Sequence, residues 1–362
     1  MKVKSTVALL CLAAPGLVAA SVLTTAAQAA PPPGTPAAPV ALQQSHPHHA
    51  ACGAAAPGTA RCDADVLDAG TSPASASGLT PTNISGVYGF NTTNTSGSGT
   101  TVAIVDANND PTAASDLATF SSQYGLPTPN LRQVNQTGGS ALPTTDGGWA
   151  LEISLDIEWV HSVAPGANIL LVEANSASFN DLLTAESYAA SQASWVSNSW
   201  SSGEFLGESA YDSSFPATSN GHPVTYFFAT GDTGLPANYP ATSPDVVAVG
   251  GTSLQFNGPG STFNNEVAWS GGGGGCSSYE SAPSAQLASS NAAGCGGRRA
   301  TPDVSLDADP NSGVSVYDST PDQGQAGWFV VGGTSLATPM WAARTAIAGL
   351  SITPTTIYST AT

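Results

Sequence analysis

A chain of 362 residues with 7 Lys+Arg against 25 Asp+Glu has a formal charge of −18, and only 9% of its residues are charged. That balance excludes ordinary nucleic-acid binding, which needs cationic density. After the N-terminus no run approaches the roughly 18 apolar residues of a membrane span. Lys2 and Lys4 precede an apolar stretch over Ala8–Val22 and the triplet Ala27-Gln28-Ala29, the pattern of an export signal over residues 1–29. The expected location is therefore secreted and extracellular. Without the signal the chain keeps five arginines and no lysine, for a charge of −20. In acid its carboxylates neutralise and few cations remain to repel one another, so the composition suits low pH. A secreted-protein bias toward Ser, Thr and Asn explains the same composition equally well.

Residues 30–78, rich in Ala, Pro, Gly and Ser and containing His46-Pro47-His48-His49, read as a flexible arm. From Leu79 onward apolar strands alternate with helical segments. Val102–Val105, ending at Asp106, is the first strand and Asp116–Tyr124 the first helix. A second helix over Leu151–His161 carries Glu152 and Asp156, flanked by Trp149 and Trp159. Strands at Ile169–Val172, Val196–Asn198, Val224–Ala229 and Val246–Val249 follow, with a helix at Asn180–Gln192 between the first two. Alternation of this kind predicts a parallel α/β sheet around one large core. Gly271–Gly275 and the stretch from Cys276 to Cys295 read as a surface loop. Cys52, Cys62, Cys276 and Cys295 allow three pairings, of which proximity favours Cys52–Cys62 and Cys276–Cys295. No C-x-x-C pair supports a metal site.

The chemistry concentrates in Gly332-Gly333-Thr334-Ser335-Leu336-Ala337-Thr338-Pro339. A serine at the start of a helix meets the positive end of the dipole, and its own N–H is free to stabilise an oxyanion. Pro339, lacking an N–H, is expected in the first turn. A serine nucleophile needs a base, yet His161 and His222, the two histidines outside the arm, stand in no catalytic context. Glu152 and Asp156, four apart on one helix face, offer another base. Two carboxyls in a partly desolvated site cannot both ionise cheaply, so at least one is pushed up in pKa. Such a pair can accept a serine proton in acid, where imidazole is already protonated.

With Ser335, Glu152 and Asp156 in place, the chain resembles the sedolisins, serine-carboxyl peptidases with the subtilisin fold. Thr101–Asp106, Glu152–Glu158 with Ala164-Pro165-Gly166-Ala167, Ala229–Gly234, Thr301–Ser305 and Gly332–Pro339 follow in the family's order. The resemblance covers about Leu79 to Gly349. It implies an α/β, subtilisin-like three-layer fold with a largely parallel central sheet, a shortened C-terminal part, and a peptidase domain over 79–362. It also implies Ser335 as nucleophile, Glu152 as general base and acid, Asp156 behind Glu152, and Asp232 as an oxyanion donor that must be protonated to donate. The expected partner is a polypeptide substrate, with no nucleic acid and no membrane, bound by a monomer. Two departures stand out. Only the short arm precedes the catalytic region where the family carries a large prosegment, which puts autocatalytic activation in doubt. The family's C-terminal calcium loop is not found, so no metal or other cofactor is assigned. Alternatives are a subtilisin-type peptidase using Asp106, an esterase or amidase (though G-x-S-x-G is lacking), and a non-catalytic relative.

Overall fold

The computed structural model describes residues 46–68, 74–90, 92–257, 262–289 and 294–360. The export signal expected over 1–29 lies outside them, as does the first part of the arm. Eight strands form the central sheet. In spatial order they are Phe263–Ala268, Val247–Phe256, Thr225–Ala229, Trp195–Asn198, Thr101–Ala107, Asn168–Ala174 and Asn130–Asn135, with Val304–Asp307 also paired to Val247–Phe256. All pairings are parallel except that of the edge strand Phe263–Ala268. Ile104, Val172, Val196, Phe227 and Val249 are fully buried, as strands covered on both faces require.

The helices that matter for function are Gly147–Val163 and Thr334–Ala348. They pack against each other, and both are apolar nearly all round, as in interior helices. Asp146 caps the first, its carboxylate accepting from the N–H of Trp149 at 3.2 Å. The expected helix over Leu151–His161 thus starts four residues earlier. Pro339 is the sixth residue of its helix, beyond the first turn where it was expected. Without an N–H it cannot bond the carbonyl of Ser335, four residues back. That oxygen instead lies 3.3 Å from Ser199 Oγ, so the proline leaves an acceptor free beside the candidate nucleophile.

The arm departs most from expectation. His48–Ala50, Arg61–Cys62 and Asp65–Leu67 are strands, and Asp63, Ala64 and Val66 are buried. Asp65–Leu67 joins a four-stranded antiparallel sheet between His48–Ala50 and Gln325–Gly332, and Arg61–Cys62 pairs with Trp200–Gly203. Backbone pairing to preformed edges orders a stretch whose composition alone argues for disorder. His48 and His49 face Asp65 and Asp68, at 3.6 and 2.5 Å. Both expected disulfides, Cys52–Cys62 and Cys276–Cys295, are present. Around the second, Gly275–Ser281 and Arg298–Thr301 form a paired ribbon where a loop was expected. Arg299 is fully buried in a two-point ion pair with Asp303, at 2.6 and 2.5 Å.

Candidate active site

The two buried helices bring Glu152, Asp156 and Ser335 together, and the loop after Thr225–Ala229 adds Asp232. None of Glu152, Asp156 and Ser335 has solvent exposure. Burial is the main reason that Glu152 and Asp156 are held well above the usual carboxylate range. For Glu152 the next causes are the charges of Asp156 and Asp106; for Asp156 it is Asp106. Ser199 Oγ donates to Asp156 Oδ1 at 2.8 Å and favours its ionised form. The Ser335 hydroxyl lies close enough to favour the ionised form of Glu152. In this state, however, it donates to the carbonyl of Ser199 at 3.3 Å, and neither Glu152 oxygen has a hydrogen-bond partner. A turn of the serine side chain is therefore needed to engage the glutamate.

Asp106 is the residue that a subtilisin-type peptidase would use. It is buried at the end of the first core strand, without hydrogen-bond partners, and is pushed up to about 8 by burial and then by Glu173. It stands behind the pair as a third carboxyl acting on both. His161 bonds the carbonyl of Pro127 at 2.9 Å, and His222 those of Ala190 and Ala193 at 3.0 and 3.2 Å, so both serve packing. Trp159 does too, its ring N–H donating to the carbonyl of Ser315.

Asp232 Oδ1 accepts from the N–H and Oγ1 of Thr334, at 2.7 and 2.9 Å, which fixes the carboxyl at the start of the serine helix. Its Oδ2 is buried without a partner. Burial, followed by the charges of Asp63 and Asp65, holds this group well above its ordinary value. Gly333 has φ of 96°, and a Cβ there would collide with the carbonyl oxygen of Asp63 and lie 2.5 Å from Asp232 Oδ2. Only glycine lets those two oxygens approach the same spot.

Asp63 is the functional neighbour that sequence reasoning missed. Its carbonyl oxygen accepts from the N–H of Ser335 at 3.1 Å, and its own N–H donates to the carbonyl of Ser199 at 3.1 Å. Arg61 and Cys62 pair antiparallel with Ser201 and Trp200. The Asp63 carboxyl accepts from Ser201 Oγ at 3.0 Å, lies 3.5 Å from the Arg61 guanidinium, and is pushed up to about 7, chiefly by burial. One signal was legible: Arg61-Cys62-Asp63-Ala64-Asp65-Val66 alternates polar and apolar, the period of a strand.

Among the described residues, one acidic group away from the serine could hold a cation: Asp110, Asp116 and Asp318, buried, with ligand oxygens within 4.8 Å of one another. The donors suit calcium in kind. Most of their oxygens accept from Thr112, Ser154, Ser319 and Thr320, Asp318 Oδ2 alone being buried without a partner, and these bonds alone assign no ligand set.

Comparison with known proteins agrees with this fold. The profile described as the Subtilase family matches residues 135–357. Sedolisin of Pseudomonas sp. (strain 101) is 32% identical over 321 residues, 78% of this chain and 51% of its own length. Kumamolisin of Bacillus sp. (strain MN-32) is 30% identical over 309 residues, 77% of this chain and 54% of its own. The chain thus spans about half the length of these two relatives. Among solved structures, Pseudomonas sedolisin, a serine-carboxyl proteinase complexed with two molecules of pseudo-iodotyrostatin, superposes with a TM-score of 0.63 at 31% identity. That match covers 79% of this chain and 85% of the other. The chain belongs to the subtilase family and, within it, to the sedolisins.

Proposed function

We propose that the protein is a secreted, acid-acting serine-carboxyl peptidase that hydrolyses polypeptides through an acyl-enzyme on Ser335. The observation that carries this reading is that Ser335 lies beside Glu152, with Asp156 behind it and Asp232 bonded at the start of the Ser335 helix, while both histidines outside the arm are committed elsewhere. Glu152 takes the proton of the Ser335 hydroxyl as it attacks the scissile carbonyl, then returns it to the leaving amine. Asp156, held by Ser199, stands behind Glu152 and, while it holds a proton, can donate it to a Glu152 oxygen and orient that group, the place an aspartate has behind histidine in a standard triad. The Ser335 N–H and a protonated Asp232 Oδ2 stabilise the oxyanion. Water then hydrolyses the ester by the same relay.

Acid action follows from Asp232, which donates only while it holds its proton. The raised pKa of Glu152 owes most to burial, so entry of water with substrate lowers it toward a working base. The edge Trp200–Gly203, which pairs with Arg61–Cys62, is suited to an extended peptide, whose backbone it would bind as an added strand. Two disulfides and the signal-like N-terminus favour an extracellular setting. Among the described residues no helix is long and apolar enough to cross a membrane. We expect the peptidase to act as a monomer. Ser335→Ala and Glu152→Ala should each abolish cleavage of denatured protein near pH 3–4, at least about 10³-fold. His161→Ala and His222→Ala should retain it. Loss of activity in a histidine variant, with Glu152→Ala active, would replace this mechanism by a subtilisin-type relay.

A further inference from the structure

The back of the helix Gly147–Val163 carries chemistry that the serine relay does not use. Ser154 and Glu158 stand one turn apart on it, and Glu158, two residues past Asp156, points about 200° away from that residue around the helix. Ser154 Oγ donates to Asp110 Oδ2 at 3.2 Å, so this face looks onto the group of Asp110, Asp116 and Asp318. The helix Ala113–Tyr124, which carries Asp116, and the strand Val314–Asp322, which carries Asp318, both pack against Gly147–Val163. Glu158 has no solvent exposure. Its Oε2 accepts from the N–H of Tyr317 at 3.1 Å, next to Asp318, and its Oε1 has no partner. Burial lifts this carboxyl well above the usual range, and the charges of Asp116, Asp318 and Asp110 add to the effect, so it stands close to all three. Asp318 Oδ1 accepts from the N–H of Thr320 at 2.7 Å, while its Oδ2 is as bare as Glu158 Oε1.

Four buried carboxyls thus meet, and two of their oxygens lack any donor. Among the described residues no basic side chain answers them. Arg61 and Arg299 are paired with Asp63 and Asp303, Arg132 bonds the Tyr188 hydroxyl, Arg298 the carbonyl of Tyr279, and Arg344 lies over the ring of Phe90. His161, on the same helix as Glu158, bonds the carbonyl of Pro127. Buried carboxylates without a counter-charge are costly, and a cation from solution can supply one. Two oxygens each about 2.4 Å from one calcium ion are no more than about 4.8 Å apart. The ligand oxygens of the three aspartates meet that limit, lying within 4.8 Å of one another. An all-oxygen set favours a hard cation over zinc or copper, which take nitrogen and sulfur. Magnesium keeps several waters in a strict octahedron, whereas calcium accepts irregular ligation by carboxylates, as a buried group on three different elements offers. From this geometry we propose that Asp110, Asp116 and Asp318 bind one calcium ion, with Glu158 Oε1 as the fourth carboxylate facing it. The ion pins Ala113–Tyr124 and Val314–Asp322 to the back of the helix that presents Glu152 and Asp156. The proposal stands apart from the peptidase reading, since it concerns this support and not the reaction.

The test uses Ser335→Ala, stripped with EDTA and dialysed near about pH 8, because such ligands take a cation only when deprotonated. Equilibrium dialysis against calcium chloride, with the metal measured by mass spectrometry, should find one tightly held ion per chain. The unfolding temperature should rise by at least about 4 °C once calcium is a hundredfold above its dissociation constant. Magnesium at the same concentration should give less than half that rise. Asp318→Asn, made in the same background, keeps an oxygen for the Thr320 N–H and puts an N–H₂ where Oδ2 stood. It should lose both the ion and the rise, yet without metal it should unfold no lower than its parent, since a buried charge is gone. Glu158→Gln should weaken calcium binding at least about tenfold, and it carries the same comparison if Asp318→Asn fails to fold. No calcium held at millimolar concentration would overturn the inference. So would an equal rise with magnesium, which reports screening of surface charge, or calcium retained at full affinity in the variants. Cleavage by the unsubstituted chain reports separately on the peptidase reading, which none of these results touches.

Discussion

Asp106→Asn isolates the effect of one buried carboxyl on stability. Asp106 has no solvent exposure and no hydrogen-bond partner, and is pushed from its ordinary 3.8 to about 8 by burial, with Glu173 adding to it. Because the folded value is the higher, the folded state holds this proton more tightly than the unfolded chain. Its contribution is fully present below about pH 4 and is lost as pH rises toward 8. Carrying the carboxyl over that interval corresponds to about 6 kcal/mol at most. Asparagine has nearly the same shape and no charge to bury, so the variant should match the wild type within about 1 kcal/mol at pH 4. At pH 8 it should be the more stable of the two by several kcal/mol. Urea unfolding at pH 4, 6 and 8, with both proteins in a Ser335→Ala background to prevent self-digestion, reads the difference directly. Stability curves that run parallel across this range would refute the reasoning and show that Asp106 titrates as an ordinary acid.

Two further outcomes follow from the oxyanion geometry. Asp232→Asn keeps an oxygen for Thr334 and puts an N–H₂ where Oδ2 must otherwise hold a proton. Turnover on denatured protein should persist and its alkaline limb move upward, whereas an unchanged pH profile would remove Asp232 from the oxyanion role. Gly333→Ala places a methyl group against the Asp63 carbonyl and Asp232 at φ of 96°. It should lower stability by about 1–3 kcal/mol and impair cleavage, as read by thermal unfolding and rate; a variant with wild-type stability would show that the backbone there relaxes freely.

The core strands and the meeting of the acidic pair with Ser335 were legible in the sequence because each carries a side-chain pattern. Val102–Val105 is a continuous apolar run and Val224–Ala229 is broken only by Thr225, and Glu152 and Asp156 share a face that few other charges on the chain could imitate. The segment around Asp63 was not legible, since what places it is backbone pairing to Trp200–Gly203 and Gln325–Gly332, open to many sequences. Its alternation of Arg61, Asp63 and Asp65 with Cys62, Ala64 and Val66 was the available clue, hidden in an Ala- and Pro-rich context. Pro339 was misplaced because its value lies in the carbonyl it leaves free at Ser335, a contact with Ser199 made only in three dimensions.

The central claim, that a carboxyl and not an imidazole activates Ser335, is tested most directly by the pH dependence of kcat/KM on denatured protein, measured from pH 2 to 9 on the purified enzyme. The account predicts a maximum in acid and decline toward neutrality as Asp232 loses its proton. A rate that instead rises through pH 6–7 to an alkaline plateau would report a histidine base and contradict it.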